Sequence, residues 1–273
     1  MKKPELVIID LDGTLLRGDQ TVGERTLEAI ARARDRGVMI TFATGRMVSA
    51  SRKYLRLLGI DLPMVALNGA LVKGDREDES DVVYHAPVPG DSFRAMFDAI
   101  ARSRATVSVV KIDRTFGWNV TPEISKKLSA WIVNITEVKP EYAPSEPTIV
   151  MVAGDEEPVR ETYEAVKNIN PEGIDYFIFP SIRYYPMWYL EIRGKGVHKG
   201  SGVRALREKL GVPREKTMVI GDFVNDLPMF EEAGIRAAVA NAHQDIIDMS
   251  DYVSPYSCDQ DGVADIIEKV ILR

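Results

Sequence analysis

The chain has 273 residues, 35 of them Lys or Arg and 41 Asp or Glu, a formal net charge of -6. With acids scattered along every segment, it lacks the concentrated basic surface that counterion release on nucleic acid demands, which argues against a general nucleic-acid binder and leaves room only for a small local basic patch. A composition that is 45% hydrophobic and 28% charged is that of an ordinary globular protein, neither disordered nor fibrous, of one large domain or two modest ones.

Residues 6–9 are continuously apolar and rich in branched side chains, which predicts a strand buried on both faces of a parallel sheet. Asp12-Gly13-Thr14 ends it as a loop. A helix is predicted over 24–36, with Leu27, Ile30, Ala31 and Ala33 as its apolar cluster and Gly37 as its stop. A second buried strand at 38–43, a helix at 48–58 closed by Gly59, and a third strand at 63–67 running into Asn68-Gly69 follow. That alternation implies right-handed crossovers and an open parallel sheet with helices on both faces.

The same rhythm returns late, with helices at 202–210, 228–232 and 263–272 and strands at 217–220 and 235–239. Between the two ends the pattern changes. Pro87, Pro89 and Gly90 mark a break, prolines become dense, and β-rich runs at 106–110 and 148–152 alternate with helices. The expected organisation is therefore a core in two pieces, 1–84 and 190–273, interrupted by an inserted α+β domain at 85–189.

In an open α/β sheet, ligands bind beyond the carboxyl ends of the strands, and the residues there form a consistent set. Asp10 and Asp12 follow the first strand, Thr44-Gly45-Arg46 the second, and Gly221-Asp222 with Asn225-Asp226 the late one, while Lys199 starts the helix that re-enters the core. Each element alone has a plain reading as a turn or a solvated charge. Together they do not, since Asp-x-Asp-Gly-Thr by itself has about one chance in 10^5 per position from average residue usage.

The runs Asp10-Leu11-Asp12-Gly13-Thr14-Leu15-Leu16, Thr44-Gly45-Arg46, Asn68-Gly69-Ala70, Lys199-Gly200 and Gly221-Asp222-Phe223-Val224-Asn225-Asp226 resemble the haloacid dehalogenase superfamily. Within it, they resemble the Cof-type sugar-phosphatase branch, in which a large cap follows the third core strand. Softer echoes are Asn241-Ala242-His243, Asp251-Tyr252-Val253 and Asp261-Gly262-Val263; the insert is similar in length and position alone. The resemblance implies a Rossmann-like parallel-sheet core with an α+β cap that selects the substrate.

It further implies Mg²⁺-dependent hydrolysis of small phosphomonoesters, such as sugar phosphates or phosphoglycolate. Asp10 would be the nucleophile and Asp12 the general acid and then base. Mg²⁺ would be held by the Asp10 carboxylate, the Asp12 backbone carbonyl and Asp222, with Asp226 orienting a water on the ion. Lys199 would offset the repulsion between carboxylate and phosphate, and the Thr44 hydroxyl, the backbone at Gly45, Asn68 and Asn225 would complete the phosphate cradle. Arg46 would either clamp a substrate anion or pair with a neighbouring carboxylate. Charge stabilisation must dominate: such esters need accelerations up to ~10^21, of which a general acid supplies roughly 10² to 10⁴. A phosphomutase and a non-hydrolytic phospho-receiver are the alternatives.

Phe223 departs from the family pattern and is expected to pack under its loop in preference to narrowing the site. Tyr184, Tyr185, Trp188 and Tyr189 read as packing residues, and His243 as a cap or surface residue. One cysteine, Cys258, excludes an internal disulfide, and three scattered histidines form no zinc motif. There is no membrane-length apolar run, and the first residues lead straight into a strand instead of a signal-peptide core. The expected setting is cytoplasmic, with a small phosphorylated metabolite as partner and no nucleic acid or membrane; monomer and homodimer both stay open.

Overall fold

The computed structural model describes residues 3–273. The chain divides into two compact units, one built from the residues up to Tyr84 together with His198–Arg273, the other from His85–Val197.

The first unit is an α/β layer structure. Its strands are β1 (Leu6–Asp10), β2 (Met39–Ala43), β3 (Met64–Ala66), β4 (Leu71–Lys73) and β5 (Val82–His85), then β12 (Thr217–Gly221), β13 (Ile235–Ala238) and β14 (Tyr252–Val253). They form one sheet in the order β14-β13-β12-β1-β2-β3-β4-β5. From β14 to β3 every pairing is parallel, while β4 turns back antiparallel on β3. β1 lies at the centre and is buried along its whole length, which is why its sequence shows no alternation.

Helices α1 (Glu24–Asp35), α2 (Val48–Leu57), α6 (Lys199–Lys209), α7 (Leu227–Glu231), α8 (Gln244–Met249) and α9 (Gly262–Val270) complete this unit. Leu6 and Ile8 share a core cluster with Val203 and Leu206 of α6 and with Met229 and Phe230 of α7. α1 packs with α9. It buries Thr26, Ala29, Ile30 and Ala33, whereas Ala31, expected on that face, is exposed: one residue beyond Ile30 is a 100° turn, which carries its methyl to the outer side.

Strands β4 and β5 have no counterpart in the sequence reading. They are short, and Lys73 interrupts the apolar signal. Its ammonium is buried nonetheless, hydrogen-bonded to the Arg76 carbonyl and 2.6 Å from Asp81 Oδ1.

The second unit contains α3 (Gly90–Ala101), β6 (Thr106–Lys111), β7 (Arg114–Trp118), α4 (Pro122–Leu128), β8 (Ile135–Glu137), β9 (Ile149–Gly154), α5 (Glu156–Ile169), β10 (Ile174–Pro180) and β11 (Trp188–Gly194). Its sheet runs β10-β11-β9-β6-β7-β8, antiparallel except between β7 and β8. Alternate residues, such as Val107, Val109, Val150, Val152, Leu190 and Ile192, meet α3 and α5 in one core. The return to the first unit, expected at 190, would cut β11, whose ladder to β9 and β10 extends to Arg193 and Gly194; the unit runs to Val197 instead. Tyr184 meets Trp131 edge-on, Trp188 lies under Arg160, Tyr189 is buried, and Tyr185 is exposed.

Candidate active site

Asp10 closes β1, in register with Ala43 of β2, and is 4% exposed. Past it the chain turns sharply at Gly13, whose φ of +83° suits glycine and whose absent side chain makes room for a carboxylate: a Cβ there would sit 2.4 Å from Asp222 Oδ2. Thr14 then donates its hydroxyl hydrogen to Asp222 Oδ1 at 2.6 Å. Asn241 Nδ2 donates to the Gly13 carbonyl at 2.8 Å and holds the same turn from the far end of the chain.

Lys199 is the first residue of α6. His198 caps that helix, its Nδ1 accepting from the Ser201 N–H at 3.1 Å while Ser201 Oγ donates back to the His198 carbonyl at 2.7 Å. The helix docks on a strained turn in which Leu67, Asn68 and Gly69 all have positive φ. Gly69 is indispensable there, because a Cβ would lie 2.0 Å from the His198 carbonyl oxygen. So placed, Lys199 is 2% exposed, with Nζ 2.5 Å from Asp10 Oδ1 and 2.6 Å from Asp226 Oδ1. An ammonium at a helix N-terminus opposes the helix dipole, and these two carboxylates offset that.

Asp226 is fully buried, and its Oδ2 accepts from the backbone N–H groups of Asp222 and Phe223 at 3.0 and 3.1 Å. Asp10, Asp222 and Asp226 each offer one oxygen within 4.8 Å of the others. Burial holds the Asp10 carboxyl well above the usual carboxylate range, and the charges of Asp226 and Asp222 push the same way against Lys199. Asp222 is pushed up to about 6, by burial first and then by Asp226, with the Thr14 hydrogen bond and Lys199 opposing. Burial pulls the Lys199 ammonium down, but Asp10 and Asp226 outweigh it and hold it above its ordinary value. Three carboxylates thus face one ammonium inside a low-dielectric pocket. A divalent cation fits that excess charge, and hard oxygen donors suit Mg²⁺ or a similar ion.

The other residues singled out in the sequence fall into two neighbouring groups. Asp12 gives its carboxylate to Arg46, which engages both oxygens: Nε lies 2.7 Å from Oδ2, and Nη2 bonds Oδ1. Arg46 is therefore paired, but buried, at 2% exposure, with no surface character. Its backbone N–H donates to Thr44 Oγ1 at 3.1 Å. Asn68 forms the second group, facing Gly45 and accepting from Asn225 Nδ2 at 3.4 Å. Phe223 is 42% exposed and meets His243 edge-on at 6.1 Å, so it packs beside the loop, not beneath it. His243 caps α8 through the Asp245 N–H.

Thr14, Gln20 and Asn241 take on roles that the motifs alone do not assign. Thr14 stands within the Asp-x-Asp-Gly-Thr run, where its hydroxyl is a signal; nothing local marks Gln20, whose side chain bonds Arg46 Nη2.

Known proteins resemble this chain along nearly its whole length. A 5-amino-6-(5-phospho-D-ribitylamino)uracil phosphatase of Bacillus subtilis is 30% identical over 274 residues, covering 98% of this chain and 97% of its own. A phosphoglycolate phosphatase of Methanopyrus kandleri is 25% identical, covering 97% of each. Among solved structures, TM0651 from Thermotoga maritima superposes with a TM-score of 0.83 at 26% identity, covering 98% of this chain and 97% of its own. The sequence profile of the haloacid dehalogenase-like hydrolases matches residues 7–267, which takes in both halves of the acidic cluster and the lysine between them. The chain belongs to the haloacid dehalogenase-like hydrolase family.

Proposed function

We propose that this protein is a Mg²⁺-dependent phosphatase of small phosphomonoesters that works through a phosphorylated Asp10. The observation that carries the reading is the convergence of Asp10, Asp222 and Asp226 around Lys199, an acidic pocket holding one buried cation of its own. The phosphatase names of similar full-length proteins support it.

In the first step an Asp10 carboxylate oxygen attacks phosphorus, the ester P–O bond breaks, and the departing alkoxide takes a proton from the Asp12 carboxyl. In the second, water attacks the same phosphorus and gives its proton to Asp12, and the P–O bond to Asp10 breaks to release orthophosphate. Lys199 holds the Asp10 oxygen in place and lowers the cost of bringing an anion to it. Thr14 and Asp226 fix Asp222 and its loop. Asp10, Asp222 and the Asp12 backbone carbonyl would hold the Mg²⁺, whose charge offsets the approach of carboxylate to phosphate. Thr44, Gly45, Asn68 and Asn225 cradle the phosphoryl oxygens. The core recognises the phosphoryl group alone, so selection among sugar, polyol and glycolate leaving groups is assigned to the second unit.

Orthophosphate release from p-nitrophenyl phosphate and from a panel of sugar, polyol and glycolate phosphates should be measured with Mg²⁺ and with EDTA. Release that depends on the cation is expected. Turnover undiminished in the chelator contradicts the metal role, and isomerised sugar phosphate without free orthophosphate points to a mutase.

A further inference from the structure

Among the described residues Arg46 is the largest fully buried side chain, and it spends its donors inside the protein. Two of them grip the two oxygens of Asp12, and Nη2 also bonds the Gln20 side-chain oxygen. The Tyr54 ring lies under the guanidinium at 5.7 Å, and its hydroxyl donates to the Gln20 carbonyl at 3.2 Å. Gln20 is itself held in an unusual place. Its φ is +68°, its N–H donates to the Arg17 carbonyl at 2.8 Å, and its loop is pinned to the C-terminal segment by Arg17 on Asp261 and the Gly18 N–H on Asp259, each at 2.8 Å. To reach a phosphoryl oxygen, Arg46 would have to abandon a bidentate carboxylate and a second acceptor inside a buried site.

We propose that Arg46 is a positioning residue for Asp12 and no ligand of the substrate, and that Gln20 and Tyr54 are the outer members of the same brace. The proposal rests on the phosphatase reading, in which Asp12 handles the leaving-group proton. Asp12 is about one-third exposed, on a turn, so its own surroundings do little to fix its rotamer; the planar fork of Arg46 fixes the carboxylate plane, and Gln20 and Tyr54 fix the fork. A lysine keeps the charge but cannot supply that plane.

The role has a signature that a merely structural one lacks. Proton delivery matters for a poor alkoxide leaving group and little for p-nitrophenolate, which departs unaided. The experiment compares kcat/KM for p-nitrophenyl phosphate with that for the alkyl ester of the panel that the wild-type protein cleaves fastest, in wild type, Arg46→Lys and Gln20→Leu. Gln20 lies on a surface loop, so its variant tests the brace even where the arginine variant does not fold. Both variants are expected to lose about tenfold or more on the alkyl ester beyond any loss on the aryl one, with inhibition by orthophosphate unchanged. Equal losses on both esters, or a weakened orthophosphate inhibition, overturn the proposal. Absence of wild-type hydrolysis of any ester is a different result, which overturns the phosphatase reading beneath it.

Discussion

Thr14 and Asp222 are 208 positions apart in sequence, yet the threonine hydroxyl hydrogen-bonds the carboxylate at 2.6 Å. The bond aims Asp222 into a cluster where burial pushes its pKa from an ordinary 3.8 to about 6. The folded protein therefore keeps a proton there through a range in which the unfolded chain has lost it. A raised acid pKa means that this site contributes less stability as pH rises from about 4 to about 6, and stays unfavourable above. In the proposed function, Mg²⁺ would compete with that proton. In thermal unfolding, the Mg²⁺-induced rise in Tm is expected to be larger at about pH 7.5 than at about pH 5. Asp222→Asn, with no charge to relieve, should raise Tm in EDTA and lose most of the Mg²⁺ response. A Mg²⁺ response that does not change with pH in the wild type would count against the cluster as the binding site.

Lys199 is the cation that the buried Asp10 and Asp226 carboxylates share, and its loss leaves Asp226 with an uncompensated charge at full burial. Lys199→Met is expected to cost about 3–5 kcal/mol in urea unfolding without Mg²⁺. Adding Asp226→Asn should recover part of it, because the second change removes the stranded charge. A single variant as stable as the wild type would contradict the pairing.

Asp10 and Asp12 differ in what their amides should do. In the proposed mechanism Asp10→Asn removes the nucleophile and should lower turnover of p-nitrophenyl phosphate by about 10^4-fold or more with the fold intact. Asp12→Asn retains the nucleophile, and with an aryl leaving group it should release a burst of about one p-nitrophenolate per chain and then stall for want of a base. Rapid-mixing absorbance separates the two. A steady rate near wild type in the Asp12 variant would remove it from proton transfer.

Gly69→Ala tests how the lysine is delivered. At a φ of +93°, with a Cβ that would lie 2.0 Å from the His198 carbonyl, alanine forces the start of α6 away from β3. A loss of about 2 kcal/mol or more in urea unfolding is expected, with weaker Mg²⁺-dependent activity as Lys199 shifts. Unchanged stability would mean that the turn relaxes without moving the helix.

Apart from β4, β5, α8 and β14, the order of strands and helices in the first unit is legible in the sequence because β1, β2 and β12 are buried on both faces and their apolar runs end in polar residues at the carboxyl edge. Asp10, Asp222 and Asp226 stand at or just beyond such ends, Lys199 stands at the start of α6, and the four meet in space. Hidden from the sequence were features that depend on distant partners. β4 and β5 are too short for periodicity and carry a buried lysine matched by Asp81. Ala31 lost its place to the helix period, and the end of β11 is fixed by its antiparallel ladder, which no local pattern shows. Gln20 has no motif; its side chain gains meaning from Arg46, 26 residues further on.

The place of β12 beside β1 bears on biosynthesis. Residues 6–9 gain their partner at 217–220 only after 216 of the 273 residues have been made, and the whole second unit emerges from the ribosome in between. Until then the central strand is a bare hydrophobic edge in need of protection, while the inserted unit already owns every strand of its own sheet. A nascent chain halted before residue 217 would thus carry Asp10 and Lys199 already paired but lack Asp222 and Asp226, so the acidic cluster cannot close before residue 226 has been made.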